Sequence, residues 1–68
     1  MNTLKINGQE KEFEKVPSTL VELLDKMKIN HATIVAEIDG DIIERDKFAE
    51  TAIKSGQQIE LIRFVGGG

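Results

Sequence analysis

The sequence predicts an α+β domain in which one helix lies across one face of a mixed sheet of about five strands. Three observations carry this. Two stretches of strand-forming residues are each broken by turn chemistry, at Gly8-Gln9 and at Asp39-Gly40, so each reads as a hairpin. Between them Leu20, Leu23, Leu24 and Met27 recur at i, i+3, i+4 and i+7, the period of a helix with one buried face. A chain of 68 residues hides only about 60% of the surface that its unfolded form exposes, enough for one thin core and one domain. A single amphipathic helix cannot cover both faces of a sheet, which leaves the second face to water or to a partner.

The elements follow in order. Thr3 to Asn7 alternates polar and apolar residues, and after Gly8-Gln9 a second arm runs from Glu10 to Val16. That arm holds Phe13 among several charges, which suits an exposed edge where charge blocks unwanted pairing. Pro17 closes it. Thr19-Leu20-Val21-Glu22 matches a capping box, with Thr19 capping the backbone and Glu22 reaching back, so a helix should begin at Leu20. Asn30 is the residue suited to the left-handed conformation that ends a helix. Thr33 to Ile38 is rich in β-branched residues, and Asp41-Ile42-Ile43 resumes the strand after Asp39-Gly40. Arg45 to Lys54 carries Phe48, Ala49, Ala52 and Ile53 and predicts a short helical turn ended by Gly56; Gln58 to Val65 is the last strand. The domain is expected over residues 1–65, with residues 66–68 as a flexible glycine tail.

Composition removes several functions. Nine basic residues against twelve acidic ones leave a net charge of −3, the wrong balance for a nucleic-acid footprint. With no cysteine there is no disulfide, thiolate metal site, catalytic thiol or internally held persulfide. No apolar run approaches the ~18 residues of a membrane span, and the Met1 end has no signal-peptide pattern. The expectation is a soluble, cytoplasmic protein.

The candidate chemical residues each have a plainer reading beside them. Asp39, Asp41, Glu44 and Asp46 bunch together, but a calcium loop needs acids at alternate positions with a bidentate Glu at the twelfth. Here Asp39-Gly40-Asp41 is a turn, with Arg45 and Lys47 among the acids, and no metal is expected. His31 could be a general base, yet no Ser, Cys or second titrating partner stands near it in sequence, and it follows a helix end that favours a cation. Glu10, Glu12 and Glu14 read as a solvated strand face. The Leu/Met stripe reads as helix on sheet rather than a partner groove. No intrinsic catalytic residue emerges.

The end of the chain is different. Phe64-Val65 leads into Gly66-Gly67-Gly68, three residues without side chains that reach about 10 Å at ~3.3–3.6 Å each. Such a segment can be an idle tail; it is also slim enough to thread a narrow channel and offer the Gly68 α-carboxylate to another protein's active site.

The runs Ile34 to Arg45, Phe48 to Thr51 and Ser55 to Gly68, with Ile6-Asn7-Gly8 and Thr19 to Leu24, together resemble the ThiS-type sulfur carriers of thiamin biosynthesis. Phe48 stands where that family often has Trp, and Gln57 where it often has Asp. The resemblance implies a ubiquitin-like β-grasp fold with the first and last strands side by side at the sheet centre. It further implies a protein cosubstrate rather than an enzyme. A ThiF-like adenylating partner would use ATP and Mg²⁺, neither held by this chain, to convert the Gly68 carboxylate into an acyl-adenylate. A persulfide donor protein would supply sulfur to give a terminal thiocarboxylate, and a ThiG-like thiazole synthase would receive it. Alternatives sharing the fold are the small subunit of molybdopterin synthase, a ubiquitin-like modifier and a non-carrier β-grasp interaction module.

Strand parity adds a docking expectation. In the last strand Ile59 and Leu61 share one face, and Ile62 and Phe64 the other. With Ile59 and Leu61 in the core, Ile62, Arg63, Phe64 and Val65 are the expected partner-docking residues, beside Gly66 and Gly67 as the threading tail and Gly68 as the sulfur-carrying terminus.

Overall fold

The computed structural model describes residues 2–63. Its elements are β1 (Thr3–Ile6), β2 (Gln9–Glu12), α1 (Leu20–Lys26), a 3-10 turn at His31–Thr33, β3 (Ile34–Ile38), β4 (Asp41–Ile43), a second 3-10 turn at Arg45–Lys47 and β5 (Gln58–Arg63). The five strands form one sheet in the order β2-β1-β5-β3-β4. β1 and β5 run parallel, with Ile6 beside Ile59, and the other neighbours are antiparallel.

Both hairpins turn on a pair of residues with positive φ, the backbone of a tight turn whose twist matches its strands. At the second hairpin the pair is Asp39 and Gly40, as expected. At the first it is Asn7 and Gly8, at φ 50° and 82°, one position earlier than Gly8-Gln9. The second arm stops at Glu12 instead of Val16; the Phe13 N–H makes one more bond, to Asn2 O at 2.8 Å, and Phe13 and Val16 pack against the core.

Helix α1 starts where the capping box predicts. Thr19 Oγ1 accepts from the Glu22 N–H at 3.2 Å, while Glu22 Oε1 accepts from the Ser18 N–H at 3.2 Å, one residue before the expected partner. Its end differs from expectation. Lys28, at φ 59°, takes the left-handed position; its N–H bonds to Asp25 O and the Ile29 N–H to Leu24 O, the paired bonds of a Schellman motif. Asn30 instead caps the following 3-10 turn through the Ala32 N–H at 2.9 Å. Thr19→Ala should cost about 1 kcal/mol, read as a fall of roughly 4–8 °C in the thermal midpoint of a domain this size.

Leu20, Leu23 and Leu24 on the helix share one buried cluster with Leu4, Ile6, Ile34, Ala36, Ile38, Ile59 and Leu61 from one face of the sheet. Phe48 and Ile53 complete it from the β4–β5 connection. That connection is helical only at Arg45–Lys47. Ala52 forms an isolated bridge with Thr19, with Leu20 N–H bonding to Thr51 O and Ile53 N–H to Ser18 O, so the chain is drawn out straight and Ile53 drops into the core. No helix among the described residues is long and apolar enough to cross a membrane.

Candidate functional site: the end of the central strand and the open sheet face

Strand β5 lies at the centre of the sheet and leads directly to the tail. On one side it pairs with β3 from Ile38–Ile59 to Ile34–Arg63. On the other it pairs with β1 at Gln58 and Ile59, and the Asn7 N–H reaches Ile59 O at 2.9 Å. There β1 turns away into its hairpin, and the Asn7 side chain takes over. Its Oδ1 accepts from the Leu61 N–H at 2.7 Å and its Nδ2 donates to Leu61 O at 3.2 Å.

Parity divides β5 as the sequence predicts: Ile59 and Leu61 are buried and Ile62 is 47% exposed. Ile62 faces Val35 across the β3–β5 pair, and Ile42, 67% exposed, faces Glu37 across β3–β4. These registers put Ile62, Val35 and Ile42 on three adjacent strands of the face away from α1. Glu37 and Glu60 stand directly opposite each other on that face, and Lys5 lies beside Gln58. Like charges directly opposed on a sheet work against stability. Arg63 is exposed at the strand's end. Phe64, Val65, Gly66, Gly67 and Gly68 lie outside the described residues.

The other candidates sit elsewhere. His31 Nε2 lies 3.0 Å from Asp25 Oδ1 on the last turn of α1, and its ring meets Phe48 edge-on with centroids 6.5 Å apart. The hydroxyl nearest in sequence, Thr33 Oγ1, already donates to Asn30 O at 2.8 Å. Asp39 accepts the Gln58 N–H at 2.9 Å, tying the second turn to β5. No three metal-ligating side chains converge among the described residues. Sequence reasoning missed Val35 and Ile42 on the open face, although the alternation through Ile34, Ala36 and Ile38 leaves Val35 on the far side. It also missed Asn7, whose bonds to Leu61 join residues 54 apart.

One helix on a five-stranded mixed sheet, with the first and last strands parallel at its middle, defines a ubiquitin-like β-grasp domain. The crystal structure of the thiamine biosynthesis protein (ThiS) from Geobacter metallireducens matches this chain with a TM-score of 0.82 and 32% identity, covering 97% of this chain and 99% of that one. Its NMR solution structure matches with a TM-score of 0.78 and 34% identity over 100% of this chain and 88% of that one. The sulfur carrier protein ThiS of Bacillus subtilis (strain 168) is 28% identical over 65 residues, 96% of this chain and 98% of that protein. A thiazole synthase of Paramagnetospirillum magneticum is 29% identical over 65 residues; the match takes in 96% of this chain, which spans only 20% of the synthase. The ThiS family model matches residues 4–68, and the chain belongs to the ThiS family.

Proposed function

We infer that this chain is a sulfur carrier protein of thiamin biosynthesis whose working group is the α-carboxylate of Gly68. The observation that carries the reading is the family match, which extends from β1 through all three terminal glycines. The likeness to the B. subtilis carrier over nearly all of its length supports the carrier role. The likeness to part of a thiazole synthase favours thiazole formation over molybdopterin synthesis as the destination of the sulfur.

The chemistry follows from what a carboxylate lacks. It is a poor electrophile with no leaving group. In the proposed sequence a Gly68 oxygen attacks the α-phosphorus of ATP on a ThiF-like partner, pyrophosphate leaves, and the carboxyl becomes a mixed anhydride with AMP. The terminal sulfur of a persulfide on a donor protein attacks this carbonyl and AMP departs, giving an acyl disulfide. A thiol on the donor side then cleaves the S–S bond; the donor is oxidised to a disulfide and the carrier leaves as a thiocarboxylate. That sulfur is nucleophilic and passes to a ThiG-like thiazole synthase. ATP, Mg²⁺ and the catalytic side chains belong to the partners. This chain contributes a terminus, a slim approach to it and the docking residues Ile62, Arg63, Phe64 and Val65, with Val35 and Ile42 on the open sheet face that Ile62 shares.

Gly67→Ala tests the slimness of the approach. The added methyl removes backbone conformations open only to glycine and widens the segment that must enter the partner's channel. Pyrophosphate release in the presence of the activating enzyme and ATP should slow, with no change in unfolding midpoint. Equal rates for variant and parent would show that the channel is wide and the glycines incidental.

A further inference from the structure

We propose that Asn7 is a positioning residue for the carrier reaction: its side-chain amide acts as one more peptide unit of β1 and fixes where the central strand releases the tail. The proposal rests on the carrier reading given above. In the parallel ladder, the Lys5 N–H bonds to Gln57 O at 3.0 Å and the Asn7 N–H to Ile59 O at 2.9 Å. The next step would send the Leu61 N–H to the backbone carbonyl of Asn7 and bring the N–H two residues further on to the Leu61 carbonyl, but the hairpin has already begun, with Asn7 itself at φ 50°. A side-chain amide carries the same donor and acceptor as a peptide group. Asn7 uses both on Leu61, accepting its N–H at 2.7 Å and donating to its carbonyl at 3.2 Å. Beyond Leu61 the described strand is paired through β3, at Ile62 and Arg63.

The consequence is mechanical. With the clamp in place, the two-sided hold on β5 ends at Leu61, seven residues before Gly68, a reach of about 23–25 Å. Without it that hold retreats to Ile59, nine residues before Gly68, a reach of about 30–32 Å. Length alone lowers the density of the carboxylate at a fixed point by only about 1.5-fold. The larger loss is direction, since a reacting group must arrive within a few tenths of an ångström and aligned.

A simpler role for Asn7 is to fill the turn, because Asn and Gly are the residues that tolerate positive φ there. Asn7→Gly separates the two roles, keeping the turn conformation and deleting the clamp. Asn7→Asp is the second variant: it keeps the acceptor for the Leu61 N–H and replaces the donor with an oxygen that repels the Leu61 carbonyl. The first readout needs no partner. Amide exchange followed by NMR should quicken about tenfold at Leu61 in Asn7→Gly while staying unchanged at Leu23 in the helix. The second is steady-state adenylation by the activating enzyme. We expect kcat to fall about fivefold in Asn7→Gly and about twofold in Asn7→Asp, with KM for the carrier constant because the docking face is untouched. Unchanged exchange at Leu61, or unchanged kcat in a folded Asn7→Gly chain, would overturn the proposal. So would a loss confined to KM. Failure of the parent chain to be adenylated would instead count against the carrier reading, and the exchange measurement would still judge the clamp.

Discussion

A chain lacking Gly67 and Gly68, or carrying one extra residue after Gly68, is expected to form no thiocarboxylate while unfolding at the parent's midpoint. The two halves of this expectation have separate causes. Gly67 and Gly68 carry no side chain to add to the buried cluster, which among the described residues runs from Leu4 to Leu61. Reaction is another matter. Removing two residues withdraws the carboxylate by about 7 Å and adding one extends it by about 3.5 Å, against a reacting distance of about 3–3.5 Å for aligned groups. Either change takes the nucleophilic oxygen out of reach of the α-phosphorus. Intact mass measurement after incubation with the activating enzyme, ATP and a sulfur donor reads the product, and thermal melting reads the fold. Undiminished product from the truncated chain would mean that sulfur is held somewhere other than the terminus.

The second large effect is expected at the docking residues. Ile62→Ala or Phe64→Ala should weaken binding to the activating enzyme roughly thirtyfold, because truncating a central apolar anchor costs about 2 kcal/mol and 1.4 kcal/mol is tenfold. Arg63→Ala should matter less, since a charge at the rim stays solvated in the free and bound states. Ile62 has the exposure an anchor needs and does not stand alone, with Val35 opposite it and Ile42 one strand further on. Its own stability contribution is a cross-strand contact of about 0.2–1 kcal/mol, so the folded state should survive the change. Titration calorimetry would decide. Unchanged affinity in both apolar variants, with unchanged melting, would move the docking surface elsewhere.

Much of this arrangement is legible in local sequence, and the exceptions are instructive. The Thr19–Glu22 box starts the helix because its partners are within one turn, and the parity of Ile59, Leu61 and Ile62 sorts β5 because alternation is a local property. Asp39-Gly40 is read correctly as the second turn. At the first turn Asn7-Gly8 carries an equally strong signal and takes the positive-φ pair, while Gln9 already belongs to β2. Lys28 takes the left-handed position that propensity assigns to Asn30, because the Schellman bonds and the packing of Ile29 fix where the helix must stop. From Arg45 to Lys54 the spacing of Phe48 and Ile53 suggests a helix, but the bridge between Ala52 and Thr19 straightens the chain, and Thr19 lies 33 positions away. The Asn7 clamp on Leu61 is hidden for the same reason, since its partner is distant in sequence and adjacent only once β1 and β5 have paired.

The central claim is that sulfur rides on the terminal carboxyl of Gly68. Its most direct test is fragmentation mass spectrometry of the chain after reaction with the activating enzyme, ATP and a persulfide donor. The account predicts one oxygen exchanged for sulfur, confined to the C-terminal fragment containing Gly68 and dependent on ATP. Sulfur found on any other fragment, or an unchanged terminus under conditions in which a known ThiS carrier is converted, would contradict it.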